Sequence, residues 1–157
     1  MKRAIVILLT LVFYSCMDTK AKENSGMNVK SPTQLTEEFI VDYKEWNDLA
    51  YILSNSDDES ADEKIEKAYH DLILKYCSPD KKYQGIVYGS EADHCDEQEK
   101  ITEEIIDDEV AIVKTTFKDR EFDFMEYNYE YRYIKTDSKW ILDEVYLVDE
   151  DGKYEGL

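Results

Sequence analysis

The hydrophobic period changes once along this chain, near Lys100, and that change restricts the fold class. Before it, Leu35, Phe39, Tyr43, Trp46, Leu49, Ala50 and Leu53 recur at helical spacing. Ile65, Ala68, Tyr69, Leu72, Ile73 and Tyr76 then repeat the pattern in a second segment. From Lys100 onward, apolar and polar residues alternate, which is the period of a half-buried strand. Residues 101–106, 109–117, 122–135 and 139–148 are predicted strands, joined by Asp107-Asp108, Lys118-Asp119 and Thr136-Asp137-Ser138. Such short links join antiparallel neighbours, because a parallel crossover needs a dozen or more residues. Two helices followed by a meander predict an α+β domain with the helices on one face of the sheet.

The punctuation supports these boundaries. Ser31-Pro32-Thr33-Gln34 supplies a capping serine, a proline suited to the first helical turn and the glutamine of a capping box. Ser54-Asn55-Ser56 stops the first helix. The acidic run Asp57-Asp58-Glu59 with Asp62 and Glu63 enters the second, where carboxylates suit the positive end of the helix dipole. It lacks the glycine and terminal glutamate of a calcium loop. Residues 81–99 carry Gly85 and Gly89 and little periodicity, and are expected to form an irregular connection with room for one short strand at Ile86-Val87-Tyr88.

The third strand is the most legible. Tyr127, Tyr129, Tyr131 and Tyr133 share one face, and Glu126, Asn128, Glu130 and Arg132 the other. The tyrosines either pack under the helices with their hydroxyls on polar partners, or line a pocket or docking surface.

The N-terminus carries an address. Lys2 and Arg3 precede an apolar run over 4–14, broken only by Thr10, and Ser15-Cys16 closes it. The run is far short of the ~20 residues of a membrane-spanning helix. Residues 1–16 therefore have the layout of a lipoprotein signal peptide with Cys16 as the lipidated residue, 17–30 form a flexible tether, and 31–157 the domain. This predicts a lipid-anchored protein of the cell envelope, facing the periplasm or on the outer membrane. In that more oxidising setting Cys77 and Cys95 can form a disulfide or remain two thiols.

Charge and chemistry narrow the function. The formal net charge is -18, so nucleic acid is excluded as a partner and a basic protein is favoured. There are two histidines. His70 falls beside the apolar stripe of the second helix, on its surface. His94 sits in Asp93-His94-Cys95-Asp96-Glu97, but consecutive residues rarely converge on one ion and no second ligand cluster completes a site. No metal, cofactor or catalytic set is expected, and the chain is not expected to be an enzyme.

Ser31-Pro32-Thr33-Gln34-Leu35-Thr36-Glu37-Glu38-Phe39, Tyr43-Lys44-Glu45-Trp46, Tyr131-Arg132-Tyr133, Lys139-Trp140-Ile141-Leu142-Asp143 and Asp151-Gly152-Lys153-Tyr154 together resemble the NTF2-fold immunity proteins of bacterial polymorphic toxin systems. The resemblance covers about residues 31–157. It implies a cone-shaped domain whose curved sheet wraps the helices, and the task of binding and neutralising a cognate toxin domain. Glu126, Glu130, Asp143, Glu144 and Tyr146 are the expected partner contacts on the charged sheet face. The alternative is an NTF2-like envelope lipoprotein with a ligand-binding or isomerase/dehydratase-like role. A Cys16 lipid anchor would restrict the toxin to one that acts on, or is intercepted in, the envelope.

Overall fold

In the computed structural model, residues 29–157 are described except Glu121 and Asp123. The signal peptide, Cys16 and residues 17–28 of the tether lie outside the described residues. Two helices, α1 (Pro32–Ser54) and α2 (Ala61–Tyr76), precede five strands: β1 (Glu99–Asp107), β2 (Val110–Lys118), β3 (Glu126–Thr136), β4 (Lys139–Val148) and β5 (Lys153–Glu155). The strands form one antiparallel sheet in sequence order. The α+β architecture predicted from the change of period is the one observed.

Helix α1 begins as its sequence requires. Ser31 Oγ accepts from the Gln34 backbone N–H at 3.2 Å, and the Gln34 side chain accepts from the Ser31 N–H at 3.0 Å. Glu104 of β1 reaches the same end, accepting from the Thr33 backbone N–H at 3.0 Å, where the helix dipole favours a carboxylate. The inner face of α1 buries Phe39, Ile40, Tyr43, Trp46 and Ala50 against Ile65, Tyr69, Leu72 and Ile73 of α2 and against the sheet. Leu49, expected in that stripe, is exposed, and Asn47 takes an inner position. The Asn47 amide both donates to the Gly89 carbonyl and accepts from its N–H, each at 3.0 Å. That double bond ties the irregular segment after α2 to the helix. No strand forms at Ile86-Val87-Tyr88.

The hairpin turns follow local chemistry. Asp137 and Ser138 both have positive φ, as a two-residue type I′ turn between β3 and β4 requires. Asp149 accepts from the N–H groups of Asp151 and Gly152, and Gly152 (φ 149°) turns the chain into β5, which the alternation alone does not reveal. β3 starts at Glu126 rather than Phe122. Asp119 bonds the Phe122 N–H at 2.8 Å and its own N–H meets the Met125 carbonyl at 3.1 Å, closing a loop over the residues expected to extend the strand.

Two bulges re-aim side chains and add local twist. The β1–β2 register shifts between Ile101 and Glu103, and the β3–β4 register shifts between Arg132 and Tyr133, leaving Asp143 as the extra residue on β4. The tyrosine stripe is divided by depth. Tyr131 and Tyr133 are fully buried under the helices, Tyr129 is partly buried and Tyr127 is exposed.

Candidate functional site

The outer part of that stripe lines a cavity of about 430 Å³, together with Tyr43 of α1, Glu91 to His94, Phe117, Asp119, Leu147 and the chain end at Tyr154 to Gly156. Its size falls in the range typical of small-ligand sites. The lining holds four carboxylates, Glu91, Asp93, Asp119 and Glu155, and no lysine or arginine.

His94 lies against the cavity and is only 4 % exposed. Its Nδ1 is 2.9 Å from Glu99 Oε2 and 2.8 Å from the Tyr131 hydroxyl. Tyr131 in turn donates to Glu99 Oε1 at 2.7 Å, and Thr115 donates to the same oxygen. With Tyr131 donating to Glu99, the His94 Nδ1–H is directed to Glu99 Oε2, which in the neutral ring makes Nε2 the acceptor. No group among the described residues bonds Nε2. The ring is held by aromatic contacts, edge-on to Tyr43 at 4.9 Å and against Tyr129 at 4.6 Å between centroids.

Tyr43 is 6 % exposed, and its hydroxyl also has no hydrogen-bond partner among the described residues. Burial, reinforced by the Asp93 charge, pushes its phenol far above the usual value. Burial does the same for Tyr129. Both therefore stay neutral, presenting hydroxyls and ring faces. The floor thus offers two unused polar atoms among aromatic rings, and the mouth offers carboxylates. Glu91, Asp93 and Glu155 have no ion-pair partner among the described residues.

Comparison with family models, curated proteins and solved structures finds no match to this chain.

The residues expected to contact a partner are distributed differently. Glu126 pairs with Lys118 at 2.7 Å, Glu130 with Lys153, and Asp143 with Arg132. Tyr146 is partly buried opposite Glu130 and Glu155. Glu144 requires correction: it is 5 % exposed and is not available on a solvated face. It accepts from Lys81 Nζ at 2.6 Å and from the backbone N–H groups of Val145 and Leu157 at 3.0 and 3.1 Å. Its register sets it opposite Arg132, but Lys81 and the backbone of Leu157 close over it, and the side chain fastens the chain end to the segment after α2. Glu144→Ala removes the carboxylate partner of the half-buried Lys81 and the acceptor of the Leu157 N–H, and is expected to cost about 2–3 kcal/mol of stability in urea unfolding.

Cys77 and Cys95 are both buried free thiols, so the disulfide alternative is not the one observed. Cys77 closes α2 and bridges to Leu142 of β4. Burial pushes its thiol up to about 12, as expected of an unreactive core cysteine. His70 is exposed on α2, as its position beside the stripe predicts. The sequence also signals the His94–Glu99 pair, but weakly: Glu99 shares strand parity with Ile101, which places it inward once β1 is extended by two residues.

Proposed function

We propose that the protein is a lipid-anchored, NTF2-like immunity protein that binds and neutralises a basic toxin domain at the cell envelope. What carries the reading is the meeting of two features at one end of the domain. The carboxylates without ion-pair partners, Glu91, Asp93 and Glu155, border the cavity. The loop from Asp119 to Tyr127, whose two ends line that cavity, exposes Phe122, Phe124 and Met125, with Phe124 79 % exposed. Exposed aromatic anchors ringed by unneutralised charge suit a tight, electrostatically steered protein interface. The outer sheet face, by contrast, is laced with ion pairs that use up its carboxylates. The helices on a curved antiparallel sheet are compatible with the NTF2 cone.

The direct test is the association rate with the product of the adjacent gene, followed in rising salt. The rate is expected to fall at least tenfold between 50 and 500 mM salt, because steering between exposed charges is screened over about 10 Å at 0.1 M. A salt-independent rate contradicts electrostatic steering. The anchor is tested separately: Cys16→Ser is expected to move the protein from the membrane to the soluble fraction, and a variant that stays with membranes contradicts lipidation at Cys16.

One observation favours the alternative of a ligand-binding or enzymatic lipoprotein. A histidine oriented by a buried carboxylate, with its other nitrogen open on a cavity, is the arrangement of a general base. On that reading a small-molecule substrate is turned over by the wild type and not by a folded His94→Asn variant.

A further inference from the structure

We infer that the cavity receives the cationic end of an arginine or lysine side chain carried by the bound partner, an inference that rests on the partner-binding reading above. The lining is acidic. It presents the carboxylates of Glu91, Asp93 and Glu155, Nε2 of His94 and the Tyr43 hydroxyl, which accepts as well as donates, with no lysine or arginine among its described residues to hold an anion. In the neutral ring Nε2 is an acceptor, because Nδ1–H is directed to Glu99. Tyr127 and Tyr129 line the same space, and an aromatic ring beside a bound cation adds attraction.

Burial supplies the second argument. Two polar side chains, each more than nine-tenths buried, line this space with an atom that no described residue bonds, and since no fully buried side-chain polar atom among the described residues lacks a partner, both atoms reach the cavity and are open to a ligand. A guanidinium or ammonium provides N–H donors to both atoms at once and a positive charge for Asp93. An anionic or purely apolar occupant would leave these acceptors unmatched and meet repulsion from the rim. The fit is to a planar, many-donor group on a flexible stem, which is the form of a basic side chain.

The test is titration of the full chain with N-acetyl-arginine amide, with the citrulline analogue as its neutral isostere and agmatine as a guanidinium on a free small molecule without peptide groups, followed by NMR shifts of the His94 ring. Saturable binding of the arginine amide is expected, at least tenfold tighter than citrulline, with agmatine no tighter than the amide. Asp93→Asn and Tyr43→Phe, both expected to stay folded, should each weaken it fivefold or more. Citrulline binding as tightly as arginine, unchanged affinity in both variants, or no shift at His94 overturns the inference. Agmatine binding tenfold tighter than the amide also overturns it, by making a free small-molecule cation, not a side chain of a partner, the occupant. Since no toxin is present, these outcomes stand apart from protection: cells left unprotected while the titration succeeds would count against the immunity reading alone.

Discussion

Raising the pH from 9 to above about 12 is expected to unfold the protein in one cooperative step. Tyr43, Tyr69, Tyr76, Tyr131 and Tyr133 are all buried, and burial pushes each phenol above its ordinary value, to about 12 for Tyr69. The Tyr76 hydroxyl additionally donates to Asp42, and Tyr131 to Glu99, so ionising either would set two negative charges side by side. The sign follows from proton counting. These groups titrate near 10 in the unfolded chain and remain protonated in the fold, so their stabilisation is fully present below pH 10 and is lost as pH rises above it. Each tyrosine contributes about 1.4 kcal/mol per pH unit, so five remove about 7 kcal/mol per unit. Total stability is ~5–15 kcal/mol for an ordinary domain, which places the midpoint between about pH 10.5 and 12. Far-UV circular dichroism and the part of the tyrosinate absorbance that comes from these five should change together. Ionisation of all thirteen tyrosines near pH 10 with secondary structure intact would contradict this packing.

The second large effect is centred on Glu99. Its carboxylate accepts from Tyr131, Thr115 and the His94 Nδ1–H in a site shut off from water. Glu99→Ala leaves all three donors buried without an acceptor and is expected to lose about 3–5 kcal/mol in urea unfolding. Glu99→Gln keeps one acceptor and should lose less. It should also change which His94 nitrogen carries the proton, visible in the ring nitrogen shifts. A loss under about 1 kcal/mol for Glu99→Ala would show that the cluster does not organise this end of the core.

Local signals explain what was legible in the sequence. The capping box at Ser31 and Gln34, the helical stripe from Phe39 to Ala50 and the alternation through Tyr127 to Tyr133 each report neighbours a few residues apart, and each is found in the fold. The two alternatives for the tyrosine face were not exclusive, since depth divides it between core and cavity. The burial of Glu144 is not legible because the groups that cover it, Lys81 and the Leu157 backbone, lie 63 and 13 residues away along the chain. Phe122 was drawn into β3 because its apolar character outweighed the Asp119 turn that closes over it. The cavity was illegible for a third reason. His94 meets Glu99 five residues on, but the space they floor needs α1, the start of β3 and the chain end to converge.

The most direct test of the partner-binding proposal is growth of cells that produce the adjacent gene product in the periplasm together with wild-type protein or with Phe124→Ala. Phe124 is exposed, so its truncation should leave thermal unfolding within about 0.5 kcal/mol of wild type while removing an aromatic anchor. Growth restored by wild type and lost, or reduced at least tenfold in surviving cells, with Phe124→Ala is the expected result. No rescue by wild type, or full rescue by Phe124→Ala, would contradict neutralisation through the cavity end of the domain.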